Sequence, residues 1–318
     1  MSRVDFSSEY QAIVDTFQRS GGDPDILSSS DVSSLVVHGN QILSKNITAG
    51  IHADVHQMDD GVEIFLRVEE NTRVDTPIHL CFGLVHKRGK QRIISHYTIG
   101  DNSSVSFLAH CSFPRAENVT HAMDAEITIG NNSRVHYNEV HFHGPEGGIE
   151  VIPRGVINLG KNSHYFSEFK LIEGAVGRFD LDYTAHVGDH SSAELYAKLF
   201  GKGRDSIRVK ESIYLNGTCS RGITKTRIVN KDYSQSEVLG EVIGNGDFAR
   251  GHVDCTEIIE GPHTQASAVP LVRVTNPRAK VTHEAAIGSV DKNQVETLTA
   301  RGLTENEAID IIVRGLLQ

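Results

Sequence analysis

The chain has no tryptophan, three methionines and only four cysteines among its 318 residues. Cys81, Cys111, Cys219 and Cys255 are scattered without a C-x-x-C pair. That spacing excludes a small disulfide framework and an ordinary zinc knuckle, so reduced thiols are expected. No apolar stretch approaches the ~18 residues of a membrane span, and the opening MSRVDFSSEYQAIVD lacks the charged-then-apolar pattern of a secretion signal. The expectation is a cytoplasmic protein with no membrane partner. Basic residues are outnumbered 31 to 41, for a formal net charge of -10. Nothing electrostatic therefore favours nucleic acid as a partner. There is no G-x-x-x-x-G-K-[ST] phosphate loop, so any ATP chemistry would belong to another chain. By contrast the chain carries 17 histidines, which keeps a metal-related role in view.

What is present is a repeat. TIGDNSSVSF begins at Thr98, TIGNNSRVHY at Thr128, NLGKNSHYFS at Asn158 and HVGDHSSAEL at His186. Aligned on the apolar residue before each turn, the series Val68, Ile99, Ile129, Leu159, Val187, Leu215, Ile243 and Val274 advances by 28 to 31 residues per step. Self-similarity of this period, with strand-like interiors, marks a solenoid whose units bury their apolar faces only against neighbours. Residues 104–110, 134–142, 192–200 and 206–215 alternate apolar with polar positions, as half-buried strands do. Two such strands and two turns fill one unit. The six-residue rhythm of a left-handed helix is missing, and parallel crossovers are right-handed. The predicted fold is therefore an all-β, right-handed parallel β-helix of roughly eight or nine coils.

Gly100, Gly130, Gly160 and Gly188 are predicted at the corners, at positive φ, where glycine bears no Cβ penalty. Asn71, Asn102, Asn132 and Asn162, with His190 next in the series, fall in one slot and are expected to stack as an amide ladder. Open coil ends would invite aggregation, and helices flank the repeat. Tyr10, Ile13, Val14 and Phe17 share a face of an N-terminal helix followed by Gly-Gly. Near the C-terminus two helices are expected, the second opening with Thr304 and Glu307 in capping-box spacing and carrying Ala308, Ile309, Ile312, Val313 and Leu316 along one stripe. They read as solenoid caps or as a docking surface. The predicted divisions are 1–30 helical, 31–287 β-helix and 288–318 helical.

Among chemistry-bearing residues, His141 and His143 share a strand face beside a glycine-rich loop, a spacing able to chelate a divalent ion, with no third ligand apparent. His52 and His56 read as strand or loop residues. Cys81 and Cys111 lie in apolar surroundings and read as packing residues. Asp180 and Asp182 form a tight strand pair, read as a solvated face.

The segment VTHEAAIGSVDKNQVETLTARGLTENEAIDIIVRGLL, from Val281 to Leu317, resembles the carboxy-terminal segment of the SufB/SufD family. VEENTRVDTPIHL, from Val68, and GHVDCTEIIEGPHTQASAVPLVRVTN, from Gly251, resemble that family's entry strand and last coils. The resemblance implies a β-helix with helical termini. It also implies a non-enzymatic component of iron-sulfur cluster assembly that pairs as a homodimer or SufB/SufD-type heterodimer and works with a SufC-type ABC ATPase. His283 matches the family histidine at the subunit interface, and Glu284 follows it as in SufB-like chains. A transient iron-sulfur cluster would then involve His283, Glu284, Cys255 and Cys219. The cysteine that SufB chains place six residues before a proline is replaced here by Thr264; Cys255 matches a second family position, and Cys219 stands where a turn serine is usual. The resemblance assigns ATPase docking to the tail, through Leu303, Glu307, Ile309, Ile312, Val313 and Leu316. Two other readings are an exported-type β-helix enzyme acting on acidic polysaccharide, and a histidine-rich metal-binding protein.

Overall fold

The computed structural model describes residues 7–19 and 22–317. In chain order, helix α1 (Ser7–Arg19) and a 3-10 turn (Pro24–Ser28) precede β1 (Ser34–His38), β2 (Gln41–Asn46), β3 (Ile51–Gln57) and β4 (Gly61–Val68). The middle comprises β5 (Ile78–Gly83), β6 (Arg88–Ile99), β7 (Ser104–Phe113), β8 (Asn118–Ile129), β9 (Arg134–His143), β10 (Ile149–Leu159), β11 (His164–Glu173) and β12 (Gly177–Val187). The late coils hold β13 (Ser192–Gly201), β14 (Ser206–Leu215), β15 (Arg221–Lys231), β16 (Gln235–Gly244), β17 (Arg250–Glu260), β18 (Gln265–Val274) and β19 (Lys280–Gly288). Helices α2 (Lys292–Thr299) and α3 (Glu305–Leu317) close the described chain.

From β4 onward the strands alternate between two parallel sheets, one of order β19-β17-β15-β13-β11-β9-β7-β5-β1-β2 and one of order β18-β16-β14-β12-β10-β8-β6-β4-β3. Each coil contributes one strand to each sheet, giving a β-solenoid of about eight turns. The periodic alternation puts Val105, Tyr165, Leu195 and Val209, among others, into one continuous apolar interior between the sheets.

The corner works differently from the sequence expectation. Gly100, Gly130, Gly160 and Gly188 are not at positive φ; the left-handed residues are Asn71, Asn102, Asn132, Asn162, His190, Cys219 and Phe248, with φ between 52° and 58°. Asparagine tolerates that region better than most side chains. The glycines are required instead by close approach of successive coils: a Cβ on Gly188 would lie 2.6 Å from the Gly160 carbonyl oxygen. The amide ladder is present, with Asn102, Asn132 and Asn162 donating upward from coil to coil at 3.0, 3.1 and 3.2 Å. The serine that follows forms a second ladder, Ser133 and Ser163 Oγ donating to the Gly100 and Gly130 carbonyls at 2.8 and 2.6 Å. Cys219 occupies the asparagine slot, not the serine slot; Ser220 keeps the latter, donating to Gly217 O at 2.7 Å. The marker in the next coil shifts by one residue, because Leu215 pairs with Gly244 rather than Ile243. An extra asparagine enters each of these two corners, and Asn245 donates to Asn216 at 2.8 Å.

The flanking helices lie on the outer face of the ten-stranded sheet and do not cover the solenoid's ends. Ile13 and Phe17 of α1 are buried with Leu27, Val36 and Cys81; Gly21 lies outside the described residues. Val313 and Leu317 of α3 are buried on Val229, with Phe200 and Ile258 packed around them. The capping box holds as expected, Glu307 Oε2 accepting from Thr304 N at 2.8 Å and Thr304 Oγ1 from Glu307 N at 3.3 Å. At the first coil the terminal strands are antiparallel, β2 pairing on β1 and β3 on β4. At the other end β18 and β19 each pair on one side only.

Candidate functional site: the open rim and the interior beneath it

The last coil leaves its inner face uncovered among the described residues. His283 pairs in register with Val253, and Ala285 with Cys255. Because strand residues alternate sides, His283 continues the column of buried Val253 and points toward the solenoid interior at its open mouth. Glu284 continues the column of Asp254, on the outer face, where Asp254 holds Arg227 through two contacts of 2.8 and 2.5 Å. His283 and Glu284 therefore do not converge on one point. Val272, Val274 and Ile287 are exposed around the same mouth.

Cys255 lies on the inner face diagonal to His283 and is 2% exposed. Its Sγ is 4.0 Å from Glu257 Oε1, and Thr226 precedes it in the column. Burial pushes the thiol up to about 12, with the negative charge of Glu257 adding to the effect. Glu257 bonds to Ser236, which accepts from Asn230 Nδ2 at 2.6 Å, and burial raises its carboxyl as well. Glu211, below, accepts from Thr226 Oγ1 at 3.1 Å and is pushed up to about 8 by burial. The interior under the rim thus holds two buried carboxyl groups, each raised by burial, and one buried thiol, with Thr226, Ser236 and Asn230 hydrogen-bonded among them.

Cys219 is not part of this group. It sits in the corner slot preceding β15, its N–H donating to Asp247 O at 2.7 Å. Cys255 lies seven strand positions beyond Phe248, which holds that slot in the next coil, or about 20 Å along the sheet. Thr264 is a turn residue donating to Gly261 O at 2.9 Å. In the tail, Val313 is buried and Ile309 and Leu316 are packed on the solenoid, while Glu307 is exposed and Leu303 half-buried. Ile312 and Leu316 line a groove with Ile258, Ile287, Val290 and Gln294, between α2, α3 and the end of β19. The predicted helical stripe therefore serves largely to attach the helix to its own sheet.

Two side-chain groups read as bland in the sequence are not. Asp180 is buried, not solvated, and faces Arg154, Arg178 and Arg208 at 3.1, 3.2 and 3.4 Å; two of these arginines arrive from neighbouring coils. Ion pairing with three guanidinium groups accounts for Asp180 and gives the polysaccharide reading no support. Cys111, far from simply packing, joins His121 and His141 in a fully buried group whose ligand atoms lie within 4.8 Å of one another. His141 pairs in register with Cys111, and the group takes His141 without its predicted partner His143, its other members coming from β7 and β8. The signal was a spacing of one repeat between positions 111 and 141.

The described chain is thus a β-solenoid with an imidazole at the mouth of its last coil and a buried thiol one coil beneath it. A family model described as "SUF system FeS cluster assembly, SufBD core domain" matches residues 90–316. The chain is 35% identical to an iron-sulfur cluster assembly SufBD family protein of Pyrococcus horikoshii over 99% of its own length and 95% of that protein. It is 31% identical to one of Methanocaldococcus jannaschii, over 99% of both chains. A longer relative of the same description from Methanothermobacter thermautotrophicus is 27% identical over 80% of this chain and 62% of its own. The chain belongs to the SufBD family of iron-sulfur cluster assembly proteins. No described helix is long and apolar enough to cross a membrane.

Proposed function

We propose that this chain is a non-enzymatic scaffold subunit, working in the cytoplasm, on which a transient iron-sulfur cluster is built at the open rim. The observation that carries this is the placement of His283 at the mouth, diagonal to Cys255 on the inner face. Iron-sulfur clusters take thiolate sulfur and, less often, imidazole. Neither residue makes a cluster site alone, and the rim itself supplies the reason for a second copy. The free edges of β18 and β19 are templates for strand pairing, and a two-fold interface would bring two His283 and two Cys255 to one seam. A SufB/SufD-type sister chain would fit the same edge. The α2–α3 segment, with the groove at Ile312 and Leu316, is the surface offered to a SufC-type ATPase, whose nucleotide cycle would drive movement that this chain cannot power.

The test is anaerobic reconstitution with ferrous iron and sulfide, followed by visible absorption and electron paramagnetic resonance. Wild-type protein should acquire a sulfide-to-iron chromophore, and His283→Ala and Cys255→Ala should each lose most of it while retaining β-rich circular dichroism. Full chromophore yield in the double variant would overturn the site; no chromophore in wild type, alone or with an ATPase partner, would overturn the scaffold role.

A further inference from the structure

Inside the middle coils, away from the rim, five polar side chains meet among buried Phe113, Phe169 and Phe179. Cys111 comes from β7, His121 from β8, and Glu139, His141 and His143 from β9, so the group joins both sheets. All are buried, His121 at 0% exposure. His141 lies between two partners, its Nε2 at 2.8 Å from Glu139 Oε1 and its Nδ1 at 3.2 Å from His143 Nε2. Cys111 Sγ is 3.9 Å from the same Glu139 oxygen. His121 has no hydrogen-bond partner on either ring nitrogen, and His143 Nδ1 has none. A neutral imidazole has one N–H and one lone pair, and leaving both unmet in a buried site is costly and rare. The orphaned ring stands beside a thiol and a second imidazole, with all three ligand atoms inside 4.8 Å.

We propose that this group is a structural binding site for a divalent transition metal of the zinc or ferrous type, held by Cys111, His121 and His141 with Glu139 or His143 completing the shell. Tetrahedral ligands on zinc stand about 3.5 Å apart, so the side chains need only close slightly around an ion. Whichever nitrogen His141 gives the metal, the other keeps a neighbour that orients the ring, the arrangement that metal-bound histidines ordinarily have. Charge favours a dication: one thiolate and one carboxylate neutralise it, leaving no net charge in the interior. A sulfur and imidazole set selects zinc or ferrous iron over magnesium or calcium, which prefer oxygen. An ion held there ties β7, β8 and β9 together across the two sheets. This site is separate from the rim and stands whether or not the rim carries a cluster.

The experiment is to unfold the full chain, refold it anaerobically with cobalt(II) as probe or with chelator, and desalt it. Cobalt-refolded protein should retain one ion per chain, show a thiolate-to-cobalt charge-transfer band, resist stripping by chelator and melt at a higher temperature than the chelator-refolded form. Cys111→Ala should lose the band, whereas Cys255→Ala and His283→Ala should keep it. A chain that retains no cobalt, or a band that survives Cys111→Ala or disappears in Cys255→Ala, would overturn the proposal. Should Cys111→Ala fail to fold, X-ray absorption on the wild type decides: one sulfur with nitrogen or oxygen neighbours supports the site, and none or several sulfurs refutes it.

Discussion

Glu211 offers a sharp test of the buried polar interior, because its proton is tied to folding. The side chain is 1% exposed, accepts one hydrogen bond, from Thr226, and burial lifts its carboxyl from 4.5 to about 8. Between those values the unfolded chain gives up the proton while the folded chain keeps it. A carboxyl raised on folding contributes its stability fully below the unfolded value, and loses it as pH rises toward the folded one. The slope is about 1.4 kcal/mol per pH unit, so by about pH 7 the burial costs up to ~3 kcal/mol. Glu211→Gln keeps the shape and an oxygen for Thr226 but has no proton to lose. Urea unfolding of wild type and variant should differ little near pH 4.5 and diverge toward neutrality, the variant becoming more stable by ~1–3 kcal/mol once water entry and relaxation are allowed for. Long solenoids need not unfold in one step, so the informative quantity is how the difference between the two proteins changes with pH. A difference that is flat across this range, or a variant that loses ground as pH rises, would refute the assignment of Glu211 as a buried neutral acid.

Other substitutions separate the corner's components. Gly130→Ala drives a Cβ into the Asp101 carboxylate and to 2.8 Å from Asp101 N, and should cost about 1–3 kcal/mol by thermal or urea unfolding; Gly315→Ala, with nothing within 4 Å, should stabilise α3 by about 0.5–1 kcal/mol. Asn132 combines a φ of 56° with ladder bonds, so Asn132→Ala should lose about 1 kcal/mol more than Asn132→Gly, which keeps the backbone relaxed and loses only the ladder. Val313→Asp places a charge against Val229 and Phe200, and should release the tail helix at a local cost of about 2 kcal/mol or more. Limited proteolysis would then cut within residues 289–317 while the circular dichroism of the sheets is unchanged; equal protection in both proteins would contradict the packing of α3.

The repeat was legible because strand stacking forces one coil to resemble the next, and the letters that recur are those whose chemistry the stack uses. The ladder through Asn132 was visible, the one through Ser133 was not, and neither was which corner residue turns left-handed: glycine suits both that conformation and tight backbone approach, and only the neighbouring coil distinguishes them. The shift from Ile243 to Gly244 escaped notice because an inserted asparagine lengthens two successive corners together. Side-chain groups that cross coils were hidden for a related reason. Asp180 looks solvated beside its own strand neighbours, and its arginines at 154 and 208 become neighbours only when the register is fixed. Cys111, His121 and His141 lie on three strands and two sheets, so no local motif announces them. The rim residues followed from family likeness, and the structure adds the sides they face: His283 inward, Glu284 outward, and Cys219 on a distant corner.

The most direct measurement is native mass spectrometry of the protein purified without oxygen, compared with His283→Ala. If the open rim is the assembly surface, wild type should appear as a two-chain species, paired with itself or with a sister chain, carrying iron and acid-labile sulfide that the variant lacks. Wild-type protein flying as single chains, or a variant that retains the same iron and sulfide, would contradict it.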